Sequence, residues 1–511
     1  MLLFFSAILR LFVTATAEYP ENQTTYNKHS LVVSKQRGTL FDCNMIPLTN
    51  NQKRKVAAIS PTPRAITAIS REINEEQLNE IMKKLESGKP ALCEVEKEIK
   101  CDGIVTTEVY TTDTNIPALH LLGYTSNEAV GLSGIQKAYD NVLNSGSEVK
   151  IIYECDAKGK ILEGIKPTVI RDSSVEASGI VTTIDINIQN IAETAADNIQ
   201  KGAIIISEAK NGKIRACVSR PNFELNRIQE YLNSENSPLL NRAINAYNVG
   251  SVFKPCVAAA GIENRKNDFC YNCTGSHLIA ERFFKCHKYD GHGEMNLCSA
   301  LANSCNTYFY NFAFHIGKTQ ILNMAQKLRF GKSLKLCDNF YTAVGNLPND
   351  NVISNNASLA NLSIGQGELL LSPISILPLY SAIASNGEYY IPSVVEGSVK
   401  DGKFESYDIG HPTKVMENET SSMLRNYLQT VLTEGTGKAA LPKNTTAAGK
   451  TATAQTGVYE NGREICQGWF CGFFPAEEPE YVVVIFSEDT QRQTLSCAEI
   501  FSIIADSMNQ K

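Results

Sequence analysis

A chain of 511 residues is too long for one ordinary core, so two or three domains are expected. An apolar content of 43% with 20% charged residues excludes a disordered polymer, and a net charge of −6 lacks the basic footprint of a nucleic-acid binder. Fifteen cysteines are many for a protein facing an oxidising compartment; most sit among apolar or small residues, as in Ala216-Cys217-Val218 and Phe470-Cys471-Gly472, and read as small buried hydrophobes.

Residues 1–17 are apolar apart from Ser6, Arg10, Thr14 and Thr16. That length is the lower limit for a spanning helix, and Ala15-Thr16-Ala17 also resembles a signal cleavage site. The preferred reading is an uncleaved single-pass anchor, which sends the rest of the chain across a membrane. Residues 18–34 are polar and turn-rich, as in a linker. Residues 35–170 predict an irregular α+β module, with a charged helical stretch near 71–89, a strand near 99–110 and a turn at 156–160.

The texture changes near residue 179. A strand is expected at 181–184 and a helix over 185–200. The runs 202–207 and 214–219 flank Asn211-Gly212, a strong hairpin signal. Helical stretches fill 239–332 and 372–387, and strands return at 449–457, 468–474 and 481–487. A sheet built from both ends of a domain, with helices inserted between, is an α+β plan.

Three short motifs carry chemistry. In Ser251-Val252-Phe253-Lys254, the lysine lies one helical turn from the serine, where its amine can take the hydroxyl proton. Such a lysine must be partly neutral, which burial and nearby positive charge can arrange. Pro255 follows it, so the serine must open the helix. In Ser304-Cys305-Asn306, the hydroxyl can relay a proton and the carboxamide can bind an amide. In Lys450-Thr451-Ala452-Thr453, on a strand pattern, the ammonium and hydroxyls can hold a substrate carboxylate, and an exposed edge can add a peptide strand. Each motif alone is weak. Ser147-x-x-Lys150, Ser234-x-Asn236, Ser354-x-Asn356 and Lys318-Thr319 match as well, so the ordered set decides.

That ordered set is the signature of penicillin-binding proteins and class A β-lactamases. The chain resembles a class B penicillin-binding protein over nearly its whole length. Arg37-Gly38-Thr39-Leu40-Phe41-Asp42 resembles the family's R-G-x-I-x-D segment. Residues Gly131 to Asp140 resemble G-x-S-G-x-E-x-x-Y-D, with Gln136 in place of glutamate. Residues Thr183 to Gln189 resemble T-I-D-x-x-L-Q, and Ser219-Arg220-Pro221-Asn222-Phe223 matches S-x-P-x-F/Y. Gly291-His292-Gly293, Gly365-Gln366-Gly367 and Trp469-Phe470-Cys471-Gly472-Phe473 also fall where the family has such segments.

The resemblance implies an anchor (1–17), a linker (18–34), a pedestal module (35–170) and a transpeptidase domain (171–511), the last an antiparallel sheet with helices on both faces plus an all-helical subdomain. It implies that Ser251 is acylated by D-Ala-D-Ala peptides or β-lactams and that Lys254 is the general base. Ser304 and Asn306 would assist proton transfer and positioning. Lys450, Thr451 and Thr453 would bind the substrate carboxylate, with the backbone N–H groups of Ser251 and Thr453 as oxyanion hole. A polytopic glycosyltransferase and other wall-synthesis proteins are the implied partners; no cofactor or metal is implied.

One departure is Ala452, where the family usually has glycine; the methyl either narrows the cleft or points inward. The rival readings are a D,D-carboxypeptidase, a serine β-lactamase, and a non-catalytic β-lactam sensor or scaffold. A class A β-lactamase needs E-x-x-L-N after the second motif; here Glu75-Glu76-Gln77-Leu78-Asn79 lies far upstream and reads as a helix face. Cys270, Cys273 and Cys286-His287 lie close together but fit no standard zinc finger, so a Cys273–Cys286 disulfide or a packed pair is expected rather than a metal. That pair also resembles one found before G-H-G in some family members.

Overall fold

Gly202-Ala-Ile-Ile-Ile-Ser-Glu208 is apolar almost without interruption because it is buried on both faces. It lies inside a five-stranded antiparallel sheet ordered Ile214–Arg220, Gly202–Glu208, Tyr481–Ser487, Arg463–Phe474, Ala448–Glu460. The computed structural model describes residues 10, 27–144, 147–172 and 178–509. The first two strands are joined through Asn211-Gly212, where Gly212 has φ +70° and the Asn211 side chain accepts from the Lys213 N–H. The Ile186–Ala196 helix, capped by the Asp185 carboxylate, packs against Ile214–Arg220. The Cys497–Met508 helix packs beside it and sets the Phe501 ring against Phe470 of the sheet, tilted by 42°. Strand alternation turns Trp469 and Cys471 to the opposite face, towards the serine segment and the Leu377–Ala384 helix. These elements meet the sequence expectation of an antiparallel sheet covered by helices.

The chain forms two compact units, and their boundaries differ from the contiguous module expected at 35–170. One unit comprises Met1–Arg37, Asn51–Thr111 and Ser145–Glu176; the other comprises Gly38–Asn50, Thr112–Asn144 and Ala177–Lys511. Buried apolar residues explain the division. Leu40, Leu121, Leu122 and Ile135 belong to the same core as the large sheet. Thr39–Phe41 pairs in parallel with Gly179–Thr182, which pairs in turn with Val395–Lys400. The smaller unit has its own core, built on the Ala91–Val95, Gln52–Ile59, Ile104–Thr111 sheet and the Glu75–Leu85 helix.

Two further expectations are corrected. The linker expected over 18–34 includes most of a strand, Lys28–Lys35, whose alternating side chains pair it with Glu148–Glu154. The helical stretch over 239–332 is interrupted by two hairpins, Tyr271–Cys273 with Gly293–Met295 and Ser276–Ile279 with Arg282–Lys285. Apart from Arg10, the anchor expected at 1–17 lies outside the described residues; among those described, no helix is long and apolar enough to cross a membrane.

What seats the serine motif is a set of backbone contacts. Gly250 has φ +64°, and its N–H donates to the Gly365 carbonyl at 2.9 Å. Gly365 has φ +72°, and a Cβ there would lie 2.0 Å from the Gly250 oxygen. Trp469 Nε1 donates to Asn248 O at 2.8 Å, and the Tyr380 hydroxyl donates to Val252 O at 3.0 Å. Gly365→Ala is therefore expected to displace the Gly250 turn and cost several kcal/mol, on the order of other backbone-strain substitutions. A thermal midpoint within a degree or so of the parent would show that this seat is dispensable.

Candidate active site

The serine lies in the turn that leads directly into the helix carrying Lys254. Gly250–Phe253 is a 3-10 turn, and Lys254–Glu263 is the α-helix that follows. Pro255 occupies the first turn of that helix, where no N–H is required. Ser251 is half-buried, whereas Lys254 is fully buried.

Lys254 Nζ is surrounded by three oxygens: Ser304 O at 2.7 Å, Ser304 Oγ at 3.1 Å and Asn306 Oδ1 at 2.8 Å. The Phe309 ring lies beneath, 5.3 Å from Nζ to its centroid. Burial pushes the amine down to about 7. Three acceptors match an ammonium's three N–H groups; losing one proton frees an acceptor and exposes a lone pair.

Local helix chemistry sets the Ser304–Asn306 turn. The Leu297–Ala302 helix begins with a capping box between Asn296 and Ser299. It ends in a Schellman turn: Ser304 N–H donates to Leu301 O at 3.2 Å, and Cys305 N–H donates to Ala300 O at 2.9 Å. Ser304 takes the left-handed conformation, φ +52°, where glycine is usual. The next helix starts at Asn306, so the connection between helices presents both side chains to Lys254.

The third motif lies on the edge strand Ala448–Glu460. Thr453 is exposed and Thr451 half-buried, with its hydroxyl 3.1 Å from that of Thr436. Lys450 is fully buried and donates to Thr451 O at 3.0 Å. Burial and the charge of Lys254 hold its amine well below the ordinary lysine range. Ala452 points inward at 8% exposure, and a Cβ on Gly250 would lie 3.3 Å from its methyl. The methyl thus packs against the serine turn instead of standing in the open edge. Asn248 bridges the same elements: its N–H donates to Gln467 Oε1 at 3.1 Å and its side chain to Gln455 O at 3.0 Å.

All seven motif residues therefore come from segments that meet around Lys254 and the edge strand. The competing matches lie elsewhere. Lys150 pairs with Glu148, Lys318 pairs with Asp350, and Asn355 caps the Asn356–Ser363 helix. Glu75 and Glu76 lie in the first turn of an exposed helix of the smaller unit. Asn248, Tyr380 and Trp469 support the site directly; of these only Trp469 lay in one of the family-like motifs.

Of the two cysteine readings, the packed pair holds and the disulfide does not. No disulfide joins Cys273 to Cys286; both thiols are free. Cys273, Cys286, His292 and Cys305 instead converge, with their ligating atoms within 4.8 Å of one another. Cys270 is exposed and His287 lies outside this set. The Cys286 and Cys305 sulfurs share a 3.9 Å contact, which pushes the Cys286 thiol down and the Cys305 thiol up. Cys305 separates Ser304 from Asn306, so this cluster adjoins the Lys254 acceptors.

The family described as "penicillin binding protein transpeptidase domain" matches residues 202–506. This chain belongs to that family. Among its relatives, it is 27% identical over 499 residues to stage V sporulation protein D of Bacillus subtilis, covering 89% of this chain and 74% of that protein. It is 25% identical over 400 residues to the peptidoglycan D,D-transpeptidase MrdA of Acinetobacter baumannii, covering 72% of this chain and 58% of MrdA. The chain thus spans somewhat more than half of MrdA. In fold it is similar to penicillin binding protein 3 of Mycobacterium tuberculosis complexed with aztreonam, with TM-score 0.67, 20% identity and coverage of 94% of this chain and 96% of that one. The penicillin-binding family and the α+β fold expected from the motifs are borne out.

Neutral Lys254 is the form that accepts a proton, and burial places its transition near 7. Modification by a β-lactam is expected to accelerate as pH rises through about 7 and to level off above it, measured by stopped-flow acylation. A rate independent of pH between 5 and 9 (about two units either side of that transition) would remove Lys254 from the role of base.

Proposed function

We propose that this protein is a serine D,D-transpeptidase that cross-links peptidoglycan stem peptides and is inhibited covalently by β-lactams. The observation that carries this reading is the buried Lys254 amine, held by Ser304 and Asn306 one helical turn from Ser251. A peptide ending in D-Ala-D-Ala binds along Ala448–Glu460 as an added strand, its carboxylate at the Thr451 and Thr453 hydroxyls with the Lys450 amine behind them. Lys254 takes the Ser251 proton, and Oγ attacks the penultimate carbonyl. The oxyanion is received by the N–H groups of Ser251 and Thr453. The proton returns through Ser304 to the departing D-Ala amine, leaving the ester. An acceptor amine then attacks the ester, and its proton passes back to Ser251. The balance is one amide broken and one formed, with no external energy source. The same reading places the chain on the outer face of a bacterial cytoplasmic membrane, anchored through residues 1–17 and working beside a glycosyltransferase that supplies glycan strands.

Intact-mass spectrometry after incubation with benzylpenicillin is expected to show one stable drug adduct, mapped to Ser251 and lost in Ser251→Ala. Lys254→Ala should slow acylation by about 10²–10⁴-fold. Rapid drug hydrolysis without an adduct would replace this reading with a β-lactamase. Because the Ala452 methyl packs inward, Ala452→Gly is expected to leave acylation nearly unchanged while costing roughly 0.5–1 kcal/mol of stability. A large gain in acylation rate would show instead that the methyl obstructs the cleft.

A further inference from the structure

Around the Ser304–Asn306 turn lies a second constellation that the transpeptidase reading does not use. Cys273 Sγ is 3.5 Å from His292 Nδ1, Cys286 Sγ is 3.6 Å from the same nitrogen, and Cys286 Sγ is 3.9 Å from Cys305 Sγ. A tetrahedral zinc ion, with bonds of about 2.3 Å to sulfur and about 2.05 Å to nitrogen, has edges of about 3.8 Å between sulfurs and about 3.5 Å between sulfur and nitrogen. The three spacings match those edges. The three sulfurs are buried, and Thr307 Oγ1 donates to Cys273 Sγ at 3.0 Å, a bond suited to a thiolate ligand. Four soft or borderline donors with no carboxylate select zinc-class ions over magnesium or calcium.

We propose that Cys273, Cys286, His292 and Cys305 form a closed tetrahedral site for one zinc-class divalent ion, and that this ion holds the Ser304–Asn306 turn in place. Binding sends the remaining thiol protons to solvent and leaves a centre of net charge −1, two positive charges against three thiolates. The donors come from different elements. Cys273 faces Gly293 across one hairpin, His292 precedes that strand, Cys286 follows the second hairpin, and Cys305 caps the Asn306–Ile316 helix. The ion therefore staples two short hairpins to the base of the catalytic turn. The second hairpin leaves Leu278 and Phe283 56% and 69% exposed, while Ile279 is buried against Tyr310 and Ala360. Fixing Cys305 fixes the left-handed Ser304 beside it and, through Asn306, the acceptors around Lys254. The metal site stands on its own geometry; its effect on acylation rests on the transpeptidase reading.

The test uses the full chain purified under reducing conditions. Elemental analysis is expected to find one zinc per chain. Cobalt(II) exchange should give a thiolate-to-metal charge-transfer band and intense tetrahedral d–d bands. Cys273→Ser should abolish both, whereas His292→Cys should keep the ion and shift the cobalt bands. Chelation of the parent protein should slow benzylpenicillin acylation about tenfold to a hundredfold, and added zinc should restore it. Reduced protein that takes up neither metal overturns the site, as does a Cys286–Cys305 disulfide in its place. Zinc whose removal leaves acylation unchanged overturns the positioning role. Zinc-loaded protein that never acylates supports the site and overturns the transpeptidase reading with the positioning role that rests on it.

Discussion

An amine taken out of water must either be surrounded by acceptors or give up its proton. Lys254 does both. Its Nζ has three oxygens within 3.1 Å, none from a carboxylate, and burial brings its proton affinity down to about 7. Lys450 is equally buried, and its own burial together with the charge of Lys254 holds its amine well below the ordinary lysine range. Most of the catalytic unit can be read as the means of holding this arrangement. One helix buries the lysine, a Schellman turn aims two acceptors at it, and the sheet edge brings up the second lysine.

The serine is seated with similar economy of atoms. Gly365 and Gly250 meet backbone to backbone, and any side chain at either would meet a neighbour. Trp469 and Tyr380 then hold the carbonyls of Asn248 and Val252. Hydroxyl, amine and strand edge are thus located largely by main-chain contacts, which leave few rotamers to wander.

The strands of the large sheet were legible because burial wrote itself into composition. Residues 481–487 form the strand expected, and 202–208 extend the expected run by one residue. The motif residues were legible because the chemistry restricts which side chains will serve. Three things were hidden. Ser304 adopts a conformation that glycine would have announced, so the turn carried no local signal. The hairpins between 271 and 295 have strands of three or four residues, too short to show a period. Cys273, Cys286, His292 and Cys305 are brought together by those hairpins, so their linear spacing resembled no contiguous metal motif. The mixed membership of residues 38–50 and 112–144 is equally silent in sequence, since only tertiary pairing reveals it.

That pairing has a bearing on how the chain is made. Thr39–Phe41 emerges early from the ribosome, yet its neighbour Gly179–Thr182 follows some 140 residues later, and Val395–Lys400 later still. At synthesis rates of about 5–20 residues per second, the first strand waits roughly 20–70 s for its sheet to be complete. Leu40, Leu121, Leu122 and Ile135 must be shielded through that interval, because the core that buries them does not yet exist. The smaller unit has all its strands by residue 170 and can close well before. A growing chain therefore holds every strand of the smaller unit while those of the larger unit still lack partners.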